Sequence, residues 1–86
     1  MKAKYSMYDV REALRREIAG ALDESYLTLD VEIPELEVKE GTYFVKGVFK
    51  VTPLFSVTPR RKGKFEARLD EDLKIISWKI LEETPQ

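Results

Sequence analysis

The sequence predicts an α+β fold: one N-terminal helix packed on a four-stranded, strongly bent antiparallel meander. Three observations predict it. Apolar residues over 10–22 recur at helical spacing, apolar residues from Leu27 onward recur at every second position, and turn residues at Glu40-Gly41, Pro59–Gly63 and Asp70–Asp72 divide the second part into four segments. Eighty-six residues suffice for a single α+β domain spanning 1–86 and leave no room for a second.

The helix begins with a signature of its own. Ser6 is followed three residues later by Asp9, a capping box with Asp in place of Glu, and Tyr5 and Val10 are spaced as a hydrophobic staple, so the helix starts near Met7. Val10, Ala13, Leu14, Ile18, Ala21 and Leu22 then form one apolar stripe, while Arg11, Glu12, Arg15 and Arg16 lie mostly off it and face water. Gly20 costs about 1 kcal/mol relative to Ala inside a helix, so it is expected to admit a close neighbour or to mark early fraying.

In the first strand Leu27, Leu29, Val31 and Ile33 alternate with polar residues, and after Pro34-Glu35 the apolar parity moves to Leu36 and Val38. One extra residue in a strand produces that shift, which places a bulge at Pro34-Glu35; proline, lacking an amide donor, points to a sheet edge. The second strand sets Tyr43, Val45, Gly47, Phe49, Val51, Phe55 and Val57 on one side. Pairing across a two-residue turn matches Val38 with Tyr43, Leu36 with Val45, Val31 with Phe49 and Leu29 with Val51. On the other face it matches Glu35 with Lys46 and Asp30 with Lys50, so the apolar and charge patterns agree on one register. A straight strand from 43 to 57 would be about 50 Å long, against a radius of gyration near 12 Å for a chain of this length; it must bend or break, at Gly47 or Pro53.

The loop Pro59–Gly63 reverses the chain, and Phe65, Ala67 and Leu69 return facing Val57, Phe55 and the region of Val51. After Asp70-Glu71-Asp72 a last strand carries Ile76, Trp78 and Ile80 inward, and the tail 82–86 is expected to fray. The order of elements and the bent strands resemble, in architecture alone, the cystatin-like and NTF2-like cone folds, in which a curved sheet wraps a helix; such folds host many unrelated activities.

Composition narrows the chemistry. Cysteine and histidine are both absent, which removes disulfides, thiolate nucleophiles, zinc sites of the usual kind and every imidazole acid or base. The four serines have no histidine to activate them, the glycines occur singly, and the acids of the first strand, Asp30, Glu32, Glu35 and Glu37, follow a water-exposed edge rather than the dry pocket that general-acid work requires. Asp70-Glu71-Asp72 lacks the spacing of a calcium loop. A non-enzymatic protein without cofactor or metal is the expectation. The longest apolar runs are too short to span a bilayer and the start lacks a secretory apolar stretch, from which a cytoplasmic protein is expected. Asparagine is missing and Glu plus Lys account for 20 residues, the composition of heat-adapted proteins.

Net charge is −1, yet it is segregated: −6 over residues 23–40 and +6 over residues 41–64. Neighbouring strands of opposite sign neutralise one another, or else the basic part meets an acidic partner. Strand parity places Phe44, Lys46, Val48, Lys50 and Thr52, then Lys64, Glu66 and Arg68, then Ile75, Ser77 and Lys79 on the sheet face away from the helix, with Asp30, Glu32 and Glu35 beside them. Leu54, Phe55 and Val57 precede Arg60, Arg61, Lys62 and Lys64, so a hairpin arm over 53–64 would present an apolar stem and a cationic tip. The leading expectation is an interaction module that self-associates, as a dimer, or docks a protein partner through Phe44, Val48, Leu54, Ile75, Arg60, Arg61 and Lys62. The alternative is a binder of single-stranded nucleic acid, chiefly RNA, using Lys46, Lys50, Arg60, Arg61, Lys62, Lys64 and Arg68 with bases stacked on Phe44. A third reading is a small-ligand cone between helix and sheet, which the large side chains Phe49, Phe55, Phe65 and Trp78 would fill.

Overall fold

The computed structural model describes residues 6–85. Helix α1 spans Met7–Leu22 and is followed by strands β1 Leu29–Lys39, β2 Thr42–Val51, β3 Arg61–Leu69 and β4 Ile75–Pro85, paired antiparallel in the order β1-β2-β3-β4. The arrangement is the α+β meander expected from the sequence. Tyr5, and with it the hydrophobic staple, lies outside the described residues.

The helix starts as its cap dictates. The Ser6 hydroxyl accepts from the Asp9 amide at 3.2 Å and the Asp9 carboxylate accepts from the Ser6 amide at 3.0 Å, so each of two otherwise orphaned amide donors is satisfied by the other residue's side chain. It ends at Asp23, left-handed at φ 56°, with the Glu24 amide reaching back to the Ala19 carbonyl at 2.9 Å. Val10, Leu14 and Ile18 are buried as expected, joined by Ala19, whereas Ala21 is exposed and Gly20 faces open space, admitting no neighbour. Arg15 and Glu12 do not simply face water. The Tyr26 hydroxyl donates to Glu12, Arg15 Nε donates to the Leu29 carbonyl at 2.7 Å, and the guanidinium lies 4.2 Å from the centre of the Tyr26 ring. The three residues lash the 23–28 connection to the helix, and Leu27 is left outside β1, exposed.

The β1–β2 hairpin has the anticipated register throughout, from Val38↔Tyr43 to Leu29↔Val51. Its turn is two residues long with positive φ at both Glu40 (49°) and Gly41 (78°), the backbone twist that suits flanking strands. The bulge falls between Glu32 and Glu35. Facing it, Gly47 lies so close to the Glu32 carbonyl and the Phe65 ring that a Cβ would sit 2.6 Å and 2.8 Å from them, while the Phe49 ring covers Gly63 in the next row. Each phenylalanine thus lies over the glycine opposite it, since the register pairs Gly47↔Phe65 and Phe49↔Gly63. A second irregularity separates Lys64 from Phe65 on the β4 side. Bulges and side-chain-free positions aligned across four strands crease the sheet over the helix, and Leu14, Ile18, Tyr43, Phe49, Phe65 and Leu69 fill the interior.

The expected course of the chain fails beyond Val51. β2 stops there rather than running to Val57; residues 52–60 form a loop, and β3 begins at Arg61, so Arg61, Lys62 and Gly63 belong to a strand rather than to a reversal. Phe65, Ala67 and Leu69 pair with Gly47, Val45 and Tyr43, not with Phe55 and Val57. In the register that aligns Leu69 with Tyr43 and Arg61 with Val51, Pro53 would stand opposite Pro59, and neither has an amide to continue the ladder. In β4, Arg68↔Ser77 is followed by Leu69↔Ile75, which leaves Ile76 as a bulge residue. Ile75 therefore packs against the core and Ile76 is exposed, the reverse of the parity reading. The segment Glu82–Thr84 does not fray but pairs with Lys62–Lys64.

Candidate interaction surface

With a single helix on one side, the other face of the sheet is bare. Pairing puts its side chains in rows: Asp30, Lys50, Lys62 and Thr84; Glu32, Val48, Lys64 and Glu82; Glu35, Lys46, Glu66 and Lys79; Glu37, Phe44, Arg68 and Ser77. Strands divide it into columns of different sign. The β1 column is acidic, with Lys39 at its hairpin end 2.8 Å from Glu37; β2 and β3 together are basic; β4 is mixed, with Lys79 3.3 Å from Glu66 and Glu82 4.0 Å from Lys64. Phe44, 38% exposed, and the half-buried Val48 are the apolar members of the β2 column. A depression of about 880 Å³ lies around Phe44, Lys46, Glu66 and Arg68, and one of about 300 Å³ around Val48, Lys50, Lys62 and Lys64.

The second feature is the 52–60 loop. Its base is closed by the Arg60 amide donating to the Val51 carbonyl at 2.7 Å, and the Thr52 amide donates to the Thr28 carbonyl at 2.9 Å, which ties it to the loop carrying Leu27. Glu24, just past the helix C-terminus, receives the Arg60 guanidinium and, at 3.1 Å, Arg61 Nη1; Arg61 turns its other edge to Glu83, Nε to Oε2 at 3.0 Å. The hydrogen bond from Arg60, helped by Arg61 and opposed by partial desolvation, holds the Glu24 carboxyl below the usual glutamate range. Glu12 is likewise lowered, chiefly by the Tyr26 hydroxyl, and Tyr26 is raised by the same bond. Above this anchored base Leu54, Phe55 and Val57 point into solvent, Val57 97% exposed, with Phe55 in the left-handed region at φ 64°.

The residues singled out from the sequence therefore separate into three places. Phe44 and Val48 share the bare face, with Lys46, Lys50, Lys62, Lys64 and Arg68. Leu54 and Arg60 lie on the loop, and Arg61 is engaged at its base by two carboxylates. Ile75 is on the inner face, carried there by the Ile76 bulge. Sequence reasoning missed Glu24 and Glu83, because partners 37 and 22 residues away from Arg61 leave no local pattern. Among the described residues no group of three carboxylates is arranged to hold a metal ion; the Asp70 carboxylate instead accepts from the Asp72 and Lys74 amides at 2.8 and 2.9 Å and shapes its own turn. No helix of the described residues is long and apolar enough to cross a membrane. No family model, curated protein or solved structure matches this chain.

Proposed function

We propose that the protein is a non-enzymatic interaction module that associates with itself through the outer sheet face and the 52–60 loop, as a dimer. The observation that carries this reading is the loop. Three apolar side chains stand in water on a segment tied at its base by a backbone hydrogen bond and two arginines, and a clustered apolar protrusion gains roughly 25 cal/mol per Å² once covered. A chain without histidine or cysteine, whose described carboxylates of lowered pKa are engaged in structural contacts, fits a binding role rather than catalysis. The residue composition adds the expectation of a heat-adapted, cytoplasmic setting. Sedimentation velocity over a wide concentration range tests the reading: wild type shifts from monomer to dimer and Phe55→Ser weakens that shift. A wild type that stays monomeric throughout refutes it.

One observation favours binding of single-stranded RNA or DNA instead. Lys50 and Lys62 stand directly opposite one another across β2 and β3, and like charges in such a pair repel, an arrangement that an anion would relieve. Against it, Asp30 flanks Lys50, and Arg60, Arg61 and Lys64 are already near carboxylates. A mobility shift at low salt that weakens steeply as salt rises would establish nucleic-acid binding, and no shift at low salt would dispose of it. For the small-ligand cone the structure offers no support, since the Phe49 and Phe65 rings occupy the space beneath the crease.

A further inference from the structure

Building on the proposed self-association, we infer that the occupant of the bare sheet face is the same face of a second copy, related by a two-fold axis that runs along β2 between the two sheets. The register carries this inference. Such an axis leaves each row at its own height and exchanges left for right, so the β1 column of one copy lies over the β3 column of the other. Three of four rows are then complementary: Asp30 faces Lys62, Glu32 faces Lys64 and Glu37 faces Arg68. On the axis Val48 meets Val48 and Phe44 meets Phe44, the two apolar side chains of the β2 column. The fourth row sets Glu35 against Glu66, with Lys46 between them and Lys79 beside Glu66. Lys46 and Lys50 meet their own counterparts on the axis, and each has a carboxylate of its own β1 next to it, Glu35 and Asp30. An acidic edge column beside basic central columns is what an isologous contact requires, since one surface must supply both signs.

Size agrees with a modest assembly. Three overlapping strands, each about 25–30 Å long and about 4.8 Å apart, bury on the order of 1,000 Å² in total, the low end of specific interfaces. Because Lys, Glu and Asp supply most of the contact, the complex is wet, weak and sensitive to salt.

Charge reversal in two separate chains tests the arrangement. One variant carries Glu32→Lys and Glu37→Lys, the other Lys64→Glu and Arg68→Glu; the β2 neighbours of all four residues are Val48 or Phe44, so no charged β2 partner is disturbed. Circular dichroism melts confirm folding, and the single pair Glu32→Lys and Lys64→Glu replaces the doubles if either unfolds. By sedimentation equilibrium the wild-type dissociation constant is expected to rise about tenfold or more between low and high salt. Each variant alone is expected to be monomeric where wild type is dimeric, and an equimolar mixture of the two to restore the dimer. Variants that dimerise like wild type, or a mixture that stays monomeric beside a dimeric wild type, overturn the face-to-face arrangement; if Phe55→Ser then abolishes the dimer, self-association itself survives through the loop. A wild type monomeric at low salt removes both, and an RNA shift lost in the Lys64→Glu, Arg68→Glu variant assigns the face to nucleic acid instead.

Discussion

Replacing Gly63 by alanine should destabilise the protein, although alanine is ordinarily better than glycine in a strand by roughly 0.5–1 kcal/mol. A Cβ at this position would lie 2.4 Å from the Glu82 carbonyl oxygen and 2.8 Å from two atoms of the Phe49 ring. Neither neighbour can retreat cheaply. The carbonyl belongs to the β4 backbone paired with β3, and Phe49 is 1% exposed in the centre of the core. Overpacking of this kind costs about 1–3 kcal/mol, and with backbone as the nearest obstacle the upper part of that range applies, lowering the melting temperature by about 10–20 °C in a domain of this size. Gly20→Ala supplies the opposite sign from the same chemical change: nothing lies within 4 Å of the added methyl, so removing a helical glycine should stabilise by about 0.5–1 kcal/mol. Calorimetry, or guanidinium unfolding if the melt lies too high, reads both. A Gly63→Ala variant at least as stable as wild type would refute the account of the crease, in which each ring takes the place of the opposing glycine's side chain.

Three further outcomes follow from the same structure. Ser6→Ala removes the acceptor for the Asp9 amide and should cost about 1 kcal/mol, seen as a lower guanidinium midpoint with an unchanged slope. Because Glu24 titrates lower when folded than when unfolded, its contribution is fully present above the ordinary glutamate range and is lost as pH falls through the lowered folded value; Glu24→Gln should therefore be less stable at neutral pH, with a gap to wild type that narrows below about pH 4. Phe55 is fully exposed with φ 64°, so at protein concentrations where the chain is monomeric Phe55→Asn, which tolerates that conformation, should leave thermal stability unchanged or slightly raised; a loss of more than about 1 kcal/mol in the monomer would mean that the ring packs on the fold.

Local pattern explains why some elements were legible. Ser6 and Asp9 are three residues apart, the stripe Val10, Leu14, Ile18 repeats within one helix, and the β1–β2 hairpin closes on a two-residue turn, so helix start, bulge and register were all visible over short separations. Parity carried Phe44, Lys46, Val48 and Arg68 to the bare face for the same reason. Ile75 was misplaced because the bulge at Ile76 inserts one residue without a sequence mark of its own, unlike the Pro34 bulge, so that Ile75 ahead of it shares the inner face with Trp78 beyond it.

What the residues determined by themselves was periodicity, capping and the alternation of charge between neighbouring strands, all of which act through contacts a few residues apart or across one tight turn. Tertiary structure decided where β2 ends, which face β4 presents after its bulges, and how Glu24 gathers Arg60 and Arg61 beneath an apolar loop. Those outcomes depend on which distant backbone completes a ladder and which distant carboxylate meets a guanidinium, and that competition is settled only when the whole sheet closes over its helix.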